Sequence, residues 1–95
     1  MNLHLKHEFQ CNVLSVDRTN TGVQYVFKFD NNYGASIIKR RGSYGLDKDL
    51  WELAVIRFES VDVWRLTYDT EITDNVIGYL TDEEVNEILH KIKNL

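Results

Sequence analysis

The chain has no proline, a single cysteine and no long apolar run. Without proline, its turns have to be formed by glycine, asparagine and aspartate. The one cysteine, Cys11, excludes an internal disulfide, in agreement with a reducing compartment. The apolar runs cover only a few residues, whereas a membrane helix needs about 20, and residues 1–9 lack the apolar stretch of a signal peptide. These absences predict a cytoplasmic protein without a membrane partner.

Basic residues are scarce in the second half of the chain. Residues 1–50 contain seven Lys or Arg and five Asp or Glu, whereas residues 51–95 contain four and ten. The net charge of −4 argues against general nucleic-acid binding, which needs a basic surface for the phosphates. The acidic segment from Asp69 to Glu87 could imitate a nucleic-acid backbone, but its seven carboxylates are few for mimicry and partly serve as helix caps.

Length and composition predict one globular domain covering residues 1–95. A chain of 95 residues is long enough for one hydrophobic core but not for two. Its apolar fraction of 43% and charged fraction of 27% are those of a soluble domain that folds.

Five segments have the alternating or continuous apolar pattern of strands: residues 8–18, 22–30, 33–40, 50–58 and 63–70. The segment 50–58 is apolar on both faces, which favours a central position in a sheet. Asn- and Gly-containing turns between the segments favour hairpins. For residues 72–80 two interpretations stay open: a helical turn capped by Thr73 and stopped at Gly78, or a sixth short strand.

The last 15 residues change to a helical period. Thr81 and Glu84 form a capping box, and an apolar stripe follows it: Val85, Ile88, Leu89, Ile92 and Leu95. The predicted fold class is therefore α+β, with an antiparallel sheet of about five strands, arranged as a meander, packed against one C-terminal amphipathic helix.

Aromatic residues exceed what one helix can cover. Six of them are distributed over the predicted strands and loops: Tyr25, Tyr33, Tyr44, Trp51, Phe58 and Trp64. A helix of about 14 residues is only some 21 Å long, so part of this aromatic surface is expected to stay open. Contiguous exposed apolar surface usually marks an interaction site, which predicts a homodimer or another protein partner.

The segment KRRGSYG, residues 39–45, concentrates cations beside two glycines. Arginine forks and glycine backbone amides suit phosphate or carboxylate, and aromatic rings stack nucleotide bases. The spacing matches neither a Walker loop nor a dinucleotide fingerprint, so a solvated hairpin end is the simpler interpretation. The predicted binding residues are Tyr33, Lys39, Arg40, Arg41, Tyr44 and Trp51.

Catalytic and metal-binding patterns are weak. His4, His7 and Cys11 have suitable donors for zinc, but positions 4 and 7 point to opposite faces of a strand and a fourth ligand is missing. No pairing of nucleophile and base is indicated. We therefore expect neither a cofactor nor an enzymatic activity.

Two ordered stretches resemble a family of small proteins encoded by bacteriophages and prophages: YGASIIKRRGSYGLDKDLWELAVIRF at 33–58 and LTYDTEITDNVIGYLTDEEVNEIL at 66–89. The resemblance rests on Tyr-Gly-Ala-Ser, Trp-Glu-Leu-Ala-Val and Asp-X-Ile-Gly-Tyr-Leu in that order. It implies action in the cytoplasm of a bacterial host cell and supplies no catalytic residue. The N-terminal hairpin has no counterpart in it.

These observations lead to two functional hypotheses. The first is a non-enzymatic phage protein that inhibits or redirects a bacterial host or defence component through protein contact. The alternative is a sponge that sequesters a small anionic nucleotide signal at a dimer interface, with Arg40 and Arg41 on the phosphate and Tyr44 or Trp51 on the base.

Overall fold

The structure is a computed structural model and describes residues 2–73 and 75–95. These residues form six strands: β1 (Val13–Thr19), β2 (Gly22–Lys28), β3 (Tyr33–Arg40), β4 (Trp51–Phe58), β5 (Trp64–Leu66) and β6 (Ile77–Leu80). They also form the helical turn α1 (His7–Gln10), a short 3₁₀ turn (Leu46–Lys48) and the helix α2 (Asp82–Lys93). Neither α1 nor α2, the α-helices of the described residues, combines the length and apolar character needed to span a membrane.

The strands form one antiparallel sheet, as the alternating segments predict. Strands β1 to β5 follow one another as a meander, and β6 returns to pair with β4 beside β5. The α+β prediction is confirmed. Of the two interpretations of residues 72–80, the short strand is correct for Ile77–Leu80, while Asp74 lies outside the described residues. The fifth strand is shorter than its pattern, because only Trp64–Leu66 pairs with β4.

One face of the sheet carries the main core. Helix α2 packs on β3, β4 and β6, and its start has the predicted capping box: the Glu84 amide donates to Thr81 Oγ1 at 3.1 Å, and the Thr81 amide donates to Glu84 Oε1 at 3.0 Å. The completely buried side chains on this side are Phe9, Phe27, Ala35, Ile37, Trp51, Leu53, Val55, Val85, Leu89 and Ile92.

An N-terminal segment (residues 2–12) completes this core. Phe9 lies edge-on against Phe29, with 6.1 Å between ring centroids, and Leu3 is buried. The strand predicted for residues 8–18 is therefore wrong at its start: residues 7–10 are helical and β1 begins at Val13. The alternation of Phe9 and Cys11 is not a strand face, because Phe9 is buried whereas Cys11 is exposed.

The N-terminal segment also corrects the expectation of an open aromatic face. Tyr25 and Trp51 are buried beneath it and α2. On the opposite face, Val26, Ile56 and Phe58 form a small buried cluster against which Trp64 packs. The chain thus covers most of its own rings, and the described residues leave no large uncovered aromatic surface on the sheet. What remains exposed is more local.

Candidate functional site

The connection between β3 and β4, called here the Tyr44 loop (residues 41–50), is held by its own hydrogen bonds. Ser43 Oγ donates to the Arg40 carbonyl at 2.7 Å and accepts the Arg40 amide at 3.1 Å. Gly45 accepts the amides of Lys48 and Leu50, and its φ of 111° lies where a side chain would be strained. The sequence between the glycines therefore forms a turn at the exposed end of the β3–β4 hairpin that is fixed by hydrogen bonds.

The Tyr44 loop lies against β6. The Tyr79 amide donates to the Tyr44 carbonyl at 3.3 Å, and the Tyr44 amide donates to Glu52 Oε1 at 2.9 Å. A Cβ added at Gly78 would lie 2.6 Å from Cβ of Tyr44, so only glycine permits this approach. Residues far apart in sequence are thereby brought side by side at the surface.

Tyr44 and Tyr79 are both exposed, at 61% and 51%. Tyr79 has a φ of 59°, in the left-handed region that bulky residues rarely adopt. Arg40, the last residue of β3, and Arg41, the first residue of the Tyr44 loop, are both exposed. These four residues are called the tyrosine patch below. The patch contains three predicted binding residues and a fourth, Tyr79, that no sequence pattern indicates, since its neighbourhood depends on the folding of β6 against the loop.

Lys39 does not belong to the patch. It is buried on the core side of the sheet, where its Nζ lies 3.2 Å from Asp49 Oδ1 and 4.3 Å from the centroid of the Trp51 ring. The position follows from strand period, because Lys39 shares a face with Ala35 and Ile37, whereas Arg40 points the other way. This alternation is the sequence signal that indicates a core-facing position for Lys39. The run of three cations is thus divided between interior and surface.

Trp51 and Tyr33 also lie apart from the patch. Trp51 is completely buried and its indole N–H donates to Asp82 Oδ1 at 2.6 Å. Tyr33 is half-buried at the opposite end of β3 from Arg40, with the Arg57 guanidinium carbon 5.5 Å from its ring centroid. The structure therefore brings together Arg40, Arg41 and Tyr44, but not Tyr33, Lys39 or Trp51.

The backbone amides around the loop are already used within the protein. Four of them donate to protein oxygens: those of Arg40, Arg41, Ser43 and Tyr44. The acceptor for Tyr44 is the carboxylate of Glu52, which would repel a bound phosphate. These four amides are therefore not free to bind an anion.

A depression of about 260 Å³ opens beside the patch, on the sheet face opposite α2. Arg40 and Glu52 border one end, Trp64 and Leu66 the other. Its floor is low because Ser36 and Ala54, both small and both buried, lie between those larger side chains. The depression can receive a side chain from a molecule bound on the patch.

Outside the patch, the described residues contain no metal site, and one carboxylate, that of Asp69, has a lowered pKa. Among residues 2–73 and 75–95, no group of three His, Cys, Asp or Glu side chains is placed to hold a metal ion. The pKa of Asp69 is lowered, first by the hydroxyl of Thr67, which donates to its carboxylate, and further by its own backbone amide and by Arg57 and Arg65. Asp69 lies in the β5–β6 connection and not in the patch.

Comparison with models of protein families, with curated proteins and with solved structures gave no match. The resemblance of residues 33–58 and 66–89 to phage-encoded proteins stays a prediction from those motifs. The geometry of the tyrosine patch is what bears most directly on function.

Proposed function

We propose that this protein is a non-enzymatic binding protein that uses the tyrosine patch to contact another protein. The observation that carries the proposal is the backbone of Tyr79: an aromatic residue at a φ of 59° with half of its side chain in solvent. A left-handed conformation costs an L-residue about 1–2 kcal/mol. Because half of the side chain is in solvent, burial of the ring offsets only part of this conformational cost, and glycine or asparagine would adopt the backbone conformation more easily. The presence of a tyrosine at this position therefore supports a role of its exposed ring in binding.

The composition of the patch supports a protein partner. Tyrosine and arginine are the residue types that, with tryptophan, dominate the binding energy of protein interfaces. The hydrogen bonds within the Tyr44 loop fix Tyr44 before binding, so less conformational entropy is lost on association. The adjoining depression offers a place for one partner side chain, and Arg40 and Arg41 favour a partner with acidic groups around its contact.

The resemblance to phage proteins suggests where that partner is found. A phage protein acts inside a bacterial cell, and a small protein without catalytic chemistry acts there by occupying a surface. We therefore propose that the partner is a bacterial host or defence component, which the bound protein inhibits or redirects.

Affinity capture with matched variants tests this function. Wild type, the double variant Tyr44→Ala/Tyr79→Ala and the control Tyr68→Ala are immobilised and exposed to the same bacterial lysates. Tyr68 is a suitable control because it is also a tyrosine with 45% exposure but lies outside the patch. We expect at least one protein to be retained by wild type and Tyr68→Ala and lost with the double variant. Recovery of the bait alone, or equal capture by all three, would contradict the proposal.

The nucleotide sponge has narrower support. Arg40, Arg41 and Tyr44 share the surface, but Trp51 is buried and the nearby amides are occupied. A thermal-shift screen against linear and cyclic nucleotides tests it, since ligand at a hundred times its Kd adds about 2.7 kcal/mol to stability. No shift with any nucleotide removes this alternative. The expected homodimer is a separate matter, because the patch does not require it.

A further inference from the structure

Strand β1 has an unpaired outer edge. Among the described strands it lies at the end of the sheet order and pairs with β2 alone. Its seven residues are half-buried at Val13 and exposed from Leu14 to Thr19. One side of β1 therefore presents backbone donors and acceptors to solvent, and such an edge is a template for another strand. A shift in register between Val13 and Ser15 makes the first residues of β1 a poor template for another strand. Ser15 to Thr19 pair regularly with β2 and keep a regular outer edge.

The two edges of the sheet favour a second copy as the occupant of β1. The opposite edge of the sheet is formed by two short strands that both pair with β4: β5, with three residues, and β6, with four. A head-to-tail contact of β1 with that edge would pair only three or four residues and would continue from molecule to molecule. Contact of β1 with the β1 of a second copy closes instead as a two-fold dimer, so the pairing stops at two molecules.

Charge selects the register of this pairing. Two identical antiparallel strands related by a two-fold axis place one residue directly opposite itself. Centres at Asp17 or Arg18 would oppose like charges, which destabilises a strand pair, and a centre at Ser15 would place the register shift of both strands directly beside the axis. A centre at Val16 opposes the two valines and sets Asp17 opposite Ser15 of the second copy, so that residues 15–17 of each strand pair within its regular part and the register shift lies at the ends of the contact.

We propose that two copies associate by antiparallel pairing of β1 with β1, centred on Val16. The exposed Val16 and Leu14 side chains, the large apolar residues that β1 leaves in solvent, are then in or beside the contact. The two sheets join into one, with α2 of both copies on the same face, because the two-fold axis is perpendicular to the sheet. The tyrosine patch stays outside this contact, so the dimer is independent of the proposed function.

Solution mass with charge-paired variants tests the dimer. Wild type measured by light scattering or sedimentation is expected at twice 11.2 kDa in the micromolar to millimolar range. Val16→Lys opposes two ammonium groups and is expected at 11.2 kDa. An equimolar mixture of Val16→Lys and Val16→Glu is expected to regain the dimer mass, because the opposed charges then attract. Val61→Lys is the matched control, as Val61 is 76% exposed in the loop after β4 and its replacement leaves the dimer intact.

A crosslink provides a second measurement that does not depend on lysine. In a Cys11→Ser background, Val16→Cys places two thiols on opposed residues whose Cα atoms lie about 4.5–5.5 Å apart, within the range of a disulfide. Oxidation is expected to give a covalent dimer with Val16→Cys and none with Val61→Cys. A wild-type monomer at all concentrations overturns the proposal. So does a dimer that survives Val16→Lys with unchanged circular dichroism, and if Val16→Lys unfolds, absence of the crosslink overturns it.

Discussion

The carboxylate of Asp82 accepts the indole N–H of Trp51 at 2.6 Å and, through its other oxygen, the amide of His4 at 3.0 Å. Asp82 is the first residue of α2, so one side chain joins the helix to β4 and to the N-terminal segment. The same carboxylate lies at the positive end of the helix dipole. Asp82 thus has a second role beyond the helix dipole, because it also holds three parts of the core together.

Replacement of Asp82 by alanine is expected to lower the free energy of unfolding by about 1–3 kcal/mol, because the indole N–H of Trp51 is left without its acceptor. Glu83→Ala is the control, since Glu83 is an exposed acid in the same helical turn. Urea unfolding followed by circular dichroism gives both values. Equal effects of the two substitutions would show that only the helix dipole matters.

At position 79, glycine is expected to give a more stable protein than alanine, by about 1 kcal/mol. In an ordinary strand the order is reversed, since glycine is the more flexible residue in the unfolded chain. At a φ of 59° the order of stability is expected to invert, because alanine pays the steric cost of the left-handed region and glycine does not. Urea unfolding of Tyr79→Gly and Tyr79→Ala measures the difference. A more stable alanine variant would mean that the strain at Tyr79 is absent in solution.

Lys39 is expected to contribute through its hydrocarbon chain more than through its charge. Asp49, its ion-pair partner, is largely exposed, and such pairs are worth about 0–1 kcal/mol. Lys39→Met keeps an apolar chain over Trp51 and should change stability by less than about 1 kcal/mol. Lys39→Ala removes buried methylene groups and should cost about 1–2 kcal/mol more. Thermal and urea unfolding compare the two, and equal losses would assign the effect to the ammonium group.

Asp69 is expected to titrate below its ordinary value because Thr67, its own backbone amide and the arginines Arg57 and Arg65 favour the charged form and lower its pKa. A folded pKa below the unfolded one means that the associated stabilisation is present above the unfolded pKa and is lost as pH falls through the folded pKa. Carboxyl-carbon NMR titration measures the shift. Thr67→Val should move the pKa of Asp69 back towards its ordinary value, whereas Thr21→Val should not; a pKa that stays low in Thr67→Val contradicts the role of the hydroxyl.

Local patterns were enough to predict most of the sheet and the final helix. The alternation through Val23 and Phe27 is visible because one face of β2 is core, and Thr81 with Glu84 identifies the start of α2 by side chain to backbone bonds within four residues. Each of these signals lies within a few residues of the feature that it predicts. The α+β class is predicted correctly because it depends only on such short-range signals.

Contacts between distant segments could not be predicted in that way. Coverage of Trp51 by residues 2–12 depends on where the N-terminal segment returns, and the patch depends on Tyr44 meeting Tyr79. Neither meeting leaves a periodic signal. The burial of Lys39 is different, because its strand parity with Ile37 is a local signal that predicts a core-facing side chain.

The attachment of the N-terminal segment to α2 has a consequence during synthesis. The buried amide of Asn86 accepts from the Lys6 amide and donates to the His4 carbonyl, both at 2.8 Å, across 80 and 82 residues of chain. A ribosome adds about 5–20 residues per second, so Phe9 waits on the order of ten seconds for the helix that encloses it. Until then the core face of the nascent sheet is exposed to solvent, and a chain that ends before α2 would keep this apolar face open to chaperones and proteases.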